Sequence, residues 1–207
     1  MHKYNSNLLI MIMMLGTFGI LSTELGVIGI LPQIAQYFNV GIDHAGLFVS
    51  LFSITIAITS LFIPMLFNKY DRKKVFSLVL LVFVVCTFFS AFTDNFYFAL
   101  LCRVIPAIFY PAYISITLAV AAEIVPKEKA QESVSKVIMG VSAGTIIGVP
   151  ITTFMATIIG YRAAMLWFTV VTFIAFIATV LFFPKLPGKV TAYGSQVQSV
   201  KTKIFFM

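Results

Sequence analysis

Apolar residues run through this chain in long, nearly uninterrupted stretches, without the two-residue alternation of a half-buried strand. Helices of about 20 apolar residues cross the hydrocarbon of a bilayer, and stretches of that order recur from one end to the other. They fall at about 8–31, 45–67, 75–92, 96–121, 137–159 and 163–183, taken as spans 1 to 6. A transmembrane barrel would instead show alternating segments of about ten residues, and none is present in the sequence. The pattern therefore predicts an all-α polytopic membrane protein. Residues 1–187 form its six-span membrane domain and 188–207 a polar, basic tail. The tail ends in Ile204-Phe205-Phe206-Met207, which reads as the first residues of a further apolar run. That ending points to a truncated product rather than an evolved half-length protein. Met1-His2-Lys3 before an apolar run resembles a secretory signal, but no small-x-small cleavage site follows, so the run is read as span 1.

The polar positions between the spans set the orientation. Between spans 2 and 3 lies a basic hairpin, Asn68-Lys69-Tyr70-Asp71-Arg72-Lys73-Lys74. Short loops rich in Lys and Arg stay in the cytoplasm. Lys3, Lys69, Arg72, Lys73, Lys74, Lys127, Lys129, Lys136, Lys185, Lys189, Lys201 and Lys203 all fall on the hairpin's side, and Arg162 alone on the other. Both termini are thus expected in the cytoplasm, in a multi-pass protein of the inner (plasma) membrane. The loop from Gln33 to His44 carries no Lys or Arg, as an outside loop should. Asp94 is placed to cap span 4. Glu123 to Lys136, with Pro126, Glu128 and Glu132, reads as a cytoplasmic connection that leads as a short amphipathic helix into span 5.

Composition agrees with this picture. The chain is 60% hydrophobic and 10% charged, against about 25% charged in soluble domains. A net charge of +7 would suggest nucleic acid in a soluble protein; here it is the loop bias of membrane insertion, with the lipid bilayer as partner and no nucleic acid. Cys86 and Cys102 lie inside spans and are expected to pack rather than bridge. With His2 and His44 as the histidines, no His/Cys metal cluster can be assembled, and no cofactor is expected.

Two charges fall inside spans, where ionisable groups are expensive unless paired, protonated or facing water. They are Glu24 in span 1 and Arg103 in span 4. At about 1.5 Å rise per residue, each lies roughly 10 Å below the outer end of its span. Glu24 and Arg103 are therefore expected to share a polar cavity in the outer half and to pair when Glu24 is ionised. Pro106 and Pro111 bend span 4. Gly140, Gly144 and Gly148 recur at four-residue steps along span 5 before Pro150, a face for close helix contact. Span 3, without charge, is expected to be a lipid-facing scaffold, and the hydroxyls of span 2 to pack within the bundle. Phe18, Tyr110, Tyr113 and Met155 are candidates to line a cavity. With one Glu, one Arg and no His at membrane depth, a nucleophile and base for an intramembrane enzyme are missing.

These residues resemble the N-terminal half of a major facilitator superfamily transporter, and within it the bacterial twelve-span drug:proton antiporters of the sugar-efflux and chloramphenicol-resistance-like branch. Thr23-Glu24 with Gly29-Ile30-Leu31-Pro32-Gln33-Ile34-Ala35 is similar to that branch's first span, and Leu101-Cys102-Arg103 to the start of its span-4 motif, whose Arg is linked to proton coupling. Gly140, Gly144, Gly148 and Pro150 resemble the span-5 antiporter motif. Leu66, Lys69, Arg72 and Lys73 match the loop signature between spans 2 and 3. There Pro64 replaces its leading Gly, Asn68 its Asp and Asp71 its second Gly. Asn68 can accept hydrogen bonds but cannot neutralise Arg72.

The resemblance implies six helices as two three-helix repeats, half of a major facilitator fold. It implies a secondary active transporter, or its N-terminal half, exporting small organic molecules or drugs with a proton gradient as energy source. Glu24 would be the protonation site: burial disfavours its charged form and Arg103 favours it. Alternating access uses two halves, so a second six-span half or a homodimer is the implied partner. The competing expectation is a non-transporting fragment or assembly partner that needs a separate second half.

Overall fold

The computed structural model describes residues 5–188. The predicted tail beyond Gly188, its apolar ending, the first four residues and Lys3, Lys189, Lys201 and Lys203 lie outside them. Among the described residues, helices long and apolar enough to cross a membrane are Ser6–Gly26, Ile42–Thr59, Arg72–Phe92, Phe96–Glu123, Lys127–Ile158 and Tyr161–Phe182, the observed spans 1 to 6. No strand occurs among them.

The pairing of the helices has an internal symmetry. Span 1 packs on spans 5 and 6, span 4 on spans 2 and 3, and span 3 on span 6. Exchanging spans 1, 2 and 3 for 4, 5 and 6 turns each of these pairs into another. Two three-helix repeats account for the bundle. Its interior has one cluster toward the basic hairpin, around Met13, Phe76, Phe83, Tyr113 and Val137, and another toward the opposite end, around Ile30, Phe48, Phe96, Tyr161 and Phe168.

Several helices depart from the sequence expectation for backbone reasons. Span 1 stops being α-helical at Gly26, tightens to a 3₁₀ turn over Ile28–Ile30, and resumes as Leu31–Phe38, where Pro32 occupies the first turn. Asn39 closes that helix in the left-handed region at φ 53°, its N–H reaching Ala35 and Gln36 carbonyls. The expected outside loop is therefore largely helix. Span 2 breaks after Thr59 and restarts as Ile63–Phe67, with Pro64 in the new first turn because it has no N–H to continue the ladder. Its hydroxyls do not pack in the core as expected. Ser50, Thr55, Thr59 and Ser60 donate to carbonyls of their own helix, on a span that is the least buried of the six. Nor is span 3 a lipid-facing scaffold: half of it is buried between spans 4 and 6. Span 4 remains one helix through Pro106 and Pro111, both buried.

Span 5 is the composite one. A 3₁₀ turn at Lys127–Lys129 leads to helix Ala130–Ala143, a π-helical turn at Gly144–Gly148 and helix Val149–Ile158 with Pro150 in its first turn. Gly140, Gly144 and Gly148 face span 1. A Cβ on Gly140 would strike the Met14 carbonyl and Thr17, one on Gly144 would press on Leu21 and the Phe18 carbonyl, and one on Gly148 would overlap Ser22. Only hydrogen at these positions lets the two backbones approach so closely.

At the end opposite the basic hairpin, three connections are tied together. Arg162 Nη2 donates to Asp94 Oδ1 at 3.1 Å, Arg162 Nε to the Tyr37 hydroxyl at 2.9 Å, and Tyr37 Oη to Asp94 Oδ1 at 2.8 Å. The Tyr37 ring lies against Tyr161 with centroids 4.6 Å apart. Asp94, expected to cap span 4, is committed to this cluster, and Asn95 caps instead by accepting from the Phe98 N–H. The Tyr37 hydroxyl and then Arg162 hold the Asp94 carboxyl below its ordinary value of 3.8.

Two outcomes follow from this packing. Gly148→Leu should destabilise the bundle by about 1–3 kcal/mol, the range for overpacking, in reversible detergent unfolding, while Ile147→Leu on the exposed face leaves it unchanged. A carboxyl with a depressed folded-state pKa stabilises above its unfolded pKa and loses that contribution as pH falls through the folded one. Asp94→Asn should thus lower the melting temperature near pH 6, and the difference from the parent should vanish near pH 2. An equal difference at both pH values would refute the clamp.

Candidate functional site

The two intramembrane charges meet. Span 4 carries Arg103 inward, where it is only 7% exposed, and its Nη2 donates to the backbone carbonyl of Glu24 at 2.9 Å. The predicted common depth therefore describes a real contact, but through Glu24's main chain. Among the described residues, no ion pair within 4.0 Å joins the two side chains. The carbonyl is available because span 1 leaves α-geometry two residues later, at Gly26, so carbonyls near its end lack helical partners. The guanidinium also lies over the ring of Phe52 in span 2, Cζ 4.1 Å from the ring centroid. Spans 1, 2 and 4 are thus joined at one cation.

Glu24 is half-buried. Its Oε2 is enclosed without a hydrogen-bond partner, as is Arg103 Nε, and the Tyr110 hydroxyl neighbours the carboxyl group. Around Arg103 the lining is Val27, Phe48, Thr87, Ser90, Cys102 and Met165. Ser90 and Tyr161 share a 2.7 Å hydroxyl contact, and Thr87 accepts from Thr169 at 3.0 Å. Cys86 and Cys102 are both buried and unbridged. Such an arrangement has one ionisable acid, a fixed neighbouring cation and apolar walls. It can hold or release a proton at Glu24 and bind polar groups beside it; nothing in it can cleave a bond.

The remaining predicted residues lie elsewhere. Tyr113 is buried beneath Gly16 and packs on Phe76. Phe18 lines a separate apolar groove between spans 1, 5 and 6. Phe52 was missed because a phenylalanine in an apolar run carries no mark of its partner. Tyr161 had a signal, an aromatic hydroxyl next to Gly160 at a span end, but its pairing with Ser90 is tertiary.

At the basic hairpin, Asp71 caps span 3 by accepting from the Lys74 N–H. Arg72, 2% exposed, donates through Nη1 to Asn68 Oδ1 at 3.0 Å, and its backbone N–H reaches the Leu186 carbonyl at 2.9 Å. Its Nη2 is enclosed without a partner. Gly188 lies so close to the hairpin that a Cβ would collide with the Asn68 and Tyr70 carbonyls. The strand of chain after span 6 therefore crosses the hairpin. Lys69 and Leu66 are exposed, and Lys73 is half-buried.

Against known families, residues 8–204 match the model of the Major Facilitator Superfamily. The chain belongs to that superfamily, whose members are transporters and not enzymes, and its bundle is half of the superfamily's fold. It is 28% identical over 182 residues to the uncharacterized MFS-type transporter YfhI of Bacillus subtilis, covering 88% of this chain and 46% of YfhI. It is 28% identical over 152 residues to the inner membrane transport protein YdhP of Escherichia coli K12, 73% of this chain and 39% of YdhP. It is 24% identical over 181 residues to a probable sugar efflux transporter of Pasteurella multocida, 87% of this chain and 44% of that protein. The chain spans about half the length of the curated relatives it matches.

The Arg103–Phe52 contact can be measured by a double-mutant cycle. Arg103→Met and Phe52→Leu should show a coupling of about 0.5–2 kcal/mol in detergent unfolding, the range of a desolvated cation–π pair; strictly additive effects would deny the contact.

Proposed function

We propose that this chain is the N-terminal half of a secondary active transporter that exports small organic molecules, drugs or sugars, in exchange for protons. The observation that carries the reading is the half-buried Glu24 carboxyl beside the buried Arg103 guanidinium, the one place at membrane depth among the described residues where an acidic and a cationic side chain neighbour each other. Opening the cavity to water would favour the charged carboxylate, and closing it the neutral acid. Substrate and proton would thereby compete for one site. The name of the Pasteurella relative, a probable sugar efflux transporter, supports export and a small polar cargo. The apolar walls support lipophilic cargo.

The second half would cover spans 2 and 5. These are the least buried of the six and present Ile54, Ile58, Leu61, Ile146, Phe154 and Ile158 outward. The partner is a separate six-span half or a second copy of this chain. Arg72, enclosed at the hairpin with a neutral Asn68, would be the cytoplasmic latch that such a half engages. The cation bias supports both termini in the cytoplasm of an inner-membrane protein.

A second reading is favoured by the length of the match, about half of each relative: a non-transporting six-span unit that only assembles with a separate half. Proteoliposomes holding this chain, with and without a co-expressed six-span second half, distinguish the readings. Proton-driven uptake in inverted vesicles is expected only where two halves are present. Glu24→Gln should reduce it at least tenfold and remove its response to collapse of the proton gradient. Gradient-dependent transport that survives Glu24→Gln would overturn the assignment.

A further inference from the structure

Outside the charged site, an apolar groove of about 380 Å³ lies on the cytoplasmic half of the bundle. It exists because span 5 changes partner along its length. Both of its helices pack on span 1, but the outer one, Val149–Ile158, also packs on span 6, whereas the cytoplasmic one, Ala130–Ala143, packs on span 4. The π-helical turn at Gly144–Gly148 lies between the two. Spans 5 and 6 therefore separate toward the cytoplasm, and span 1 floors the gap. Met11, Leu15 and Phe18 form the floor, Ala143 one wall, and Ala178 and Phe182 the other.

The mouth carries charge. Lys136 stands one turn before Gly140 and two before Ala143, on the face of span 5 that borders the groove. Its side chain is 45% exposed and touches Glu132 at 2.7 Å, a surface pair too weak to exclude a competing anion. The adjoining first turn of span 1, which begins two residues before the groove residue Leu8, contains no acidic residue and is capped by the neutral Asn5.

We infer that this groove holds one acyl chain of an anionic phospholipid whose phosphate sits on Lys136. An apolar slot, opening to the bilayer and topped by a cation at the depth of the cytoplasmic headgroups, complements such a lipid in shape and in charge. The lipid would fill the gap between spans 5 and 6 and so support the close contact of span 5 with span 1.

A tryptophan placed in the groove reads occupancy directly. In a Trp167→Phe background, Phe18→Trp gives a single reporter in the floor, and Phe182→Trp gives a second one in the wall should the first fail to fold. The full chain is reconstituted in phosphatidylcholine vesicles with small fractions of dibrominated phosphatidylglycerol or dibrominated phosphatidylcholine. Quenching should favour phosphatidylglycerol by about fivefold, the factor one cation at an anionic surface supplies. Lys136→Gln should remove that preference, and Lys127→Gln should retain it. Equal quenching by both lipids would mean ordinary boundary lipid, and no quenching by either would mean that protein covers the groove. Either result overturns the proposal, as does a preference that persists in Lys136→Gln.

Discussion

The bundle depends on how closely span 5 can approach span 1. Gly140, Gly144 and Gly148 bring the two backbones together without side chains between them, against the Met14 and Phe18 carbonyls and Ser22. In a bilayer, apolar side chains gain little by leaving lipid for protein, so dispersion over a well-fitted surface carries the association. The approach fixes span 1, and with it the place where its helix ends. Glu24 and its carbonyl are positioned by that ending, which turns the packing of glycines into the geometry of a site.

Arg103 then does what the glycines cannot, tying spans from both repeats. A buried guanidinium has more donors than one acceptor can satisfy. Here the Glu24 carbonyl takes one N–H and the Phe52 ring takes the face. The carboxyl of Glu24 is left beside the cation without being locked to it. The main-chain anchor fixes the cation, and among the described residues no ion pair within 4.0 Å holds the Glu24 carboxylate.

The two ends of the bundle are held differently. At the end opposite the basic hairpin, Asp94, Tyr37 and Arg162 join three connections through exposed groups that water can replace. At the hairpin, Arg72 is buried where the chain after span 6 crosses. Burying a guanidinium carries a desolvation cost of several kcal/mol; Asn68 meets its Nη1, and among the described residues no ion pair within 4.0 Å joins it to a carboxylate.

The sequence by itself determined the class, the number and order of the helices and the presence of two charges at one depth. Each of these follows from composition, from hydropathy or from the fixed rise of a helix, which are local quantities. The glycine steps of span 5 were legible for the same reason, since four-residue spacing places them on one face whatever they meet. Tertiary structure alone decided which faces meet. Span 3 reads as the most apolar scaffold yet is half buried, while span 2, with its hydroxyls, is mostly exposed, because lipid and protein interior are equally apolar and leave the same mark on a sequence. It also decided that Arg103 reaches the carbonyl of Glu24 and the ring of Phe52, and that Asp94 serves Arg162 and leaves the cap to Asn95. Those choices depend on distances between residues far apart in the chain, and no local pattern encodes them.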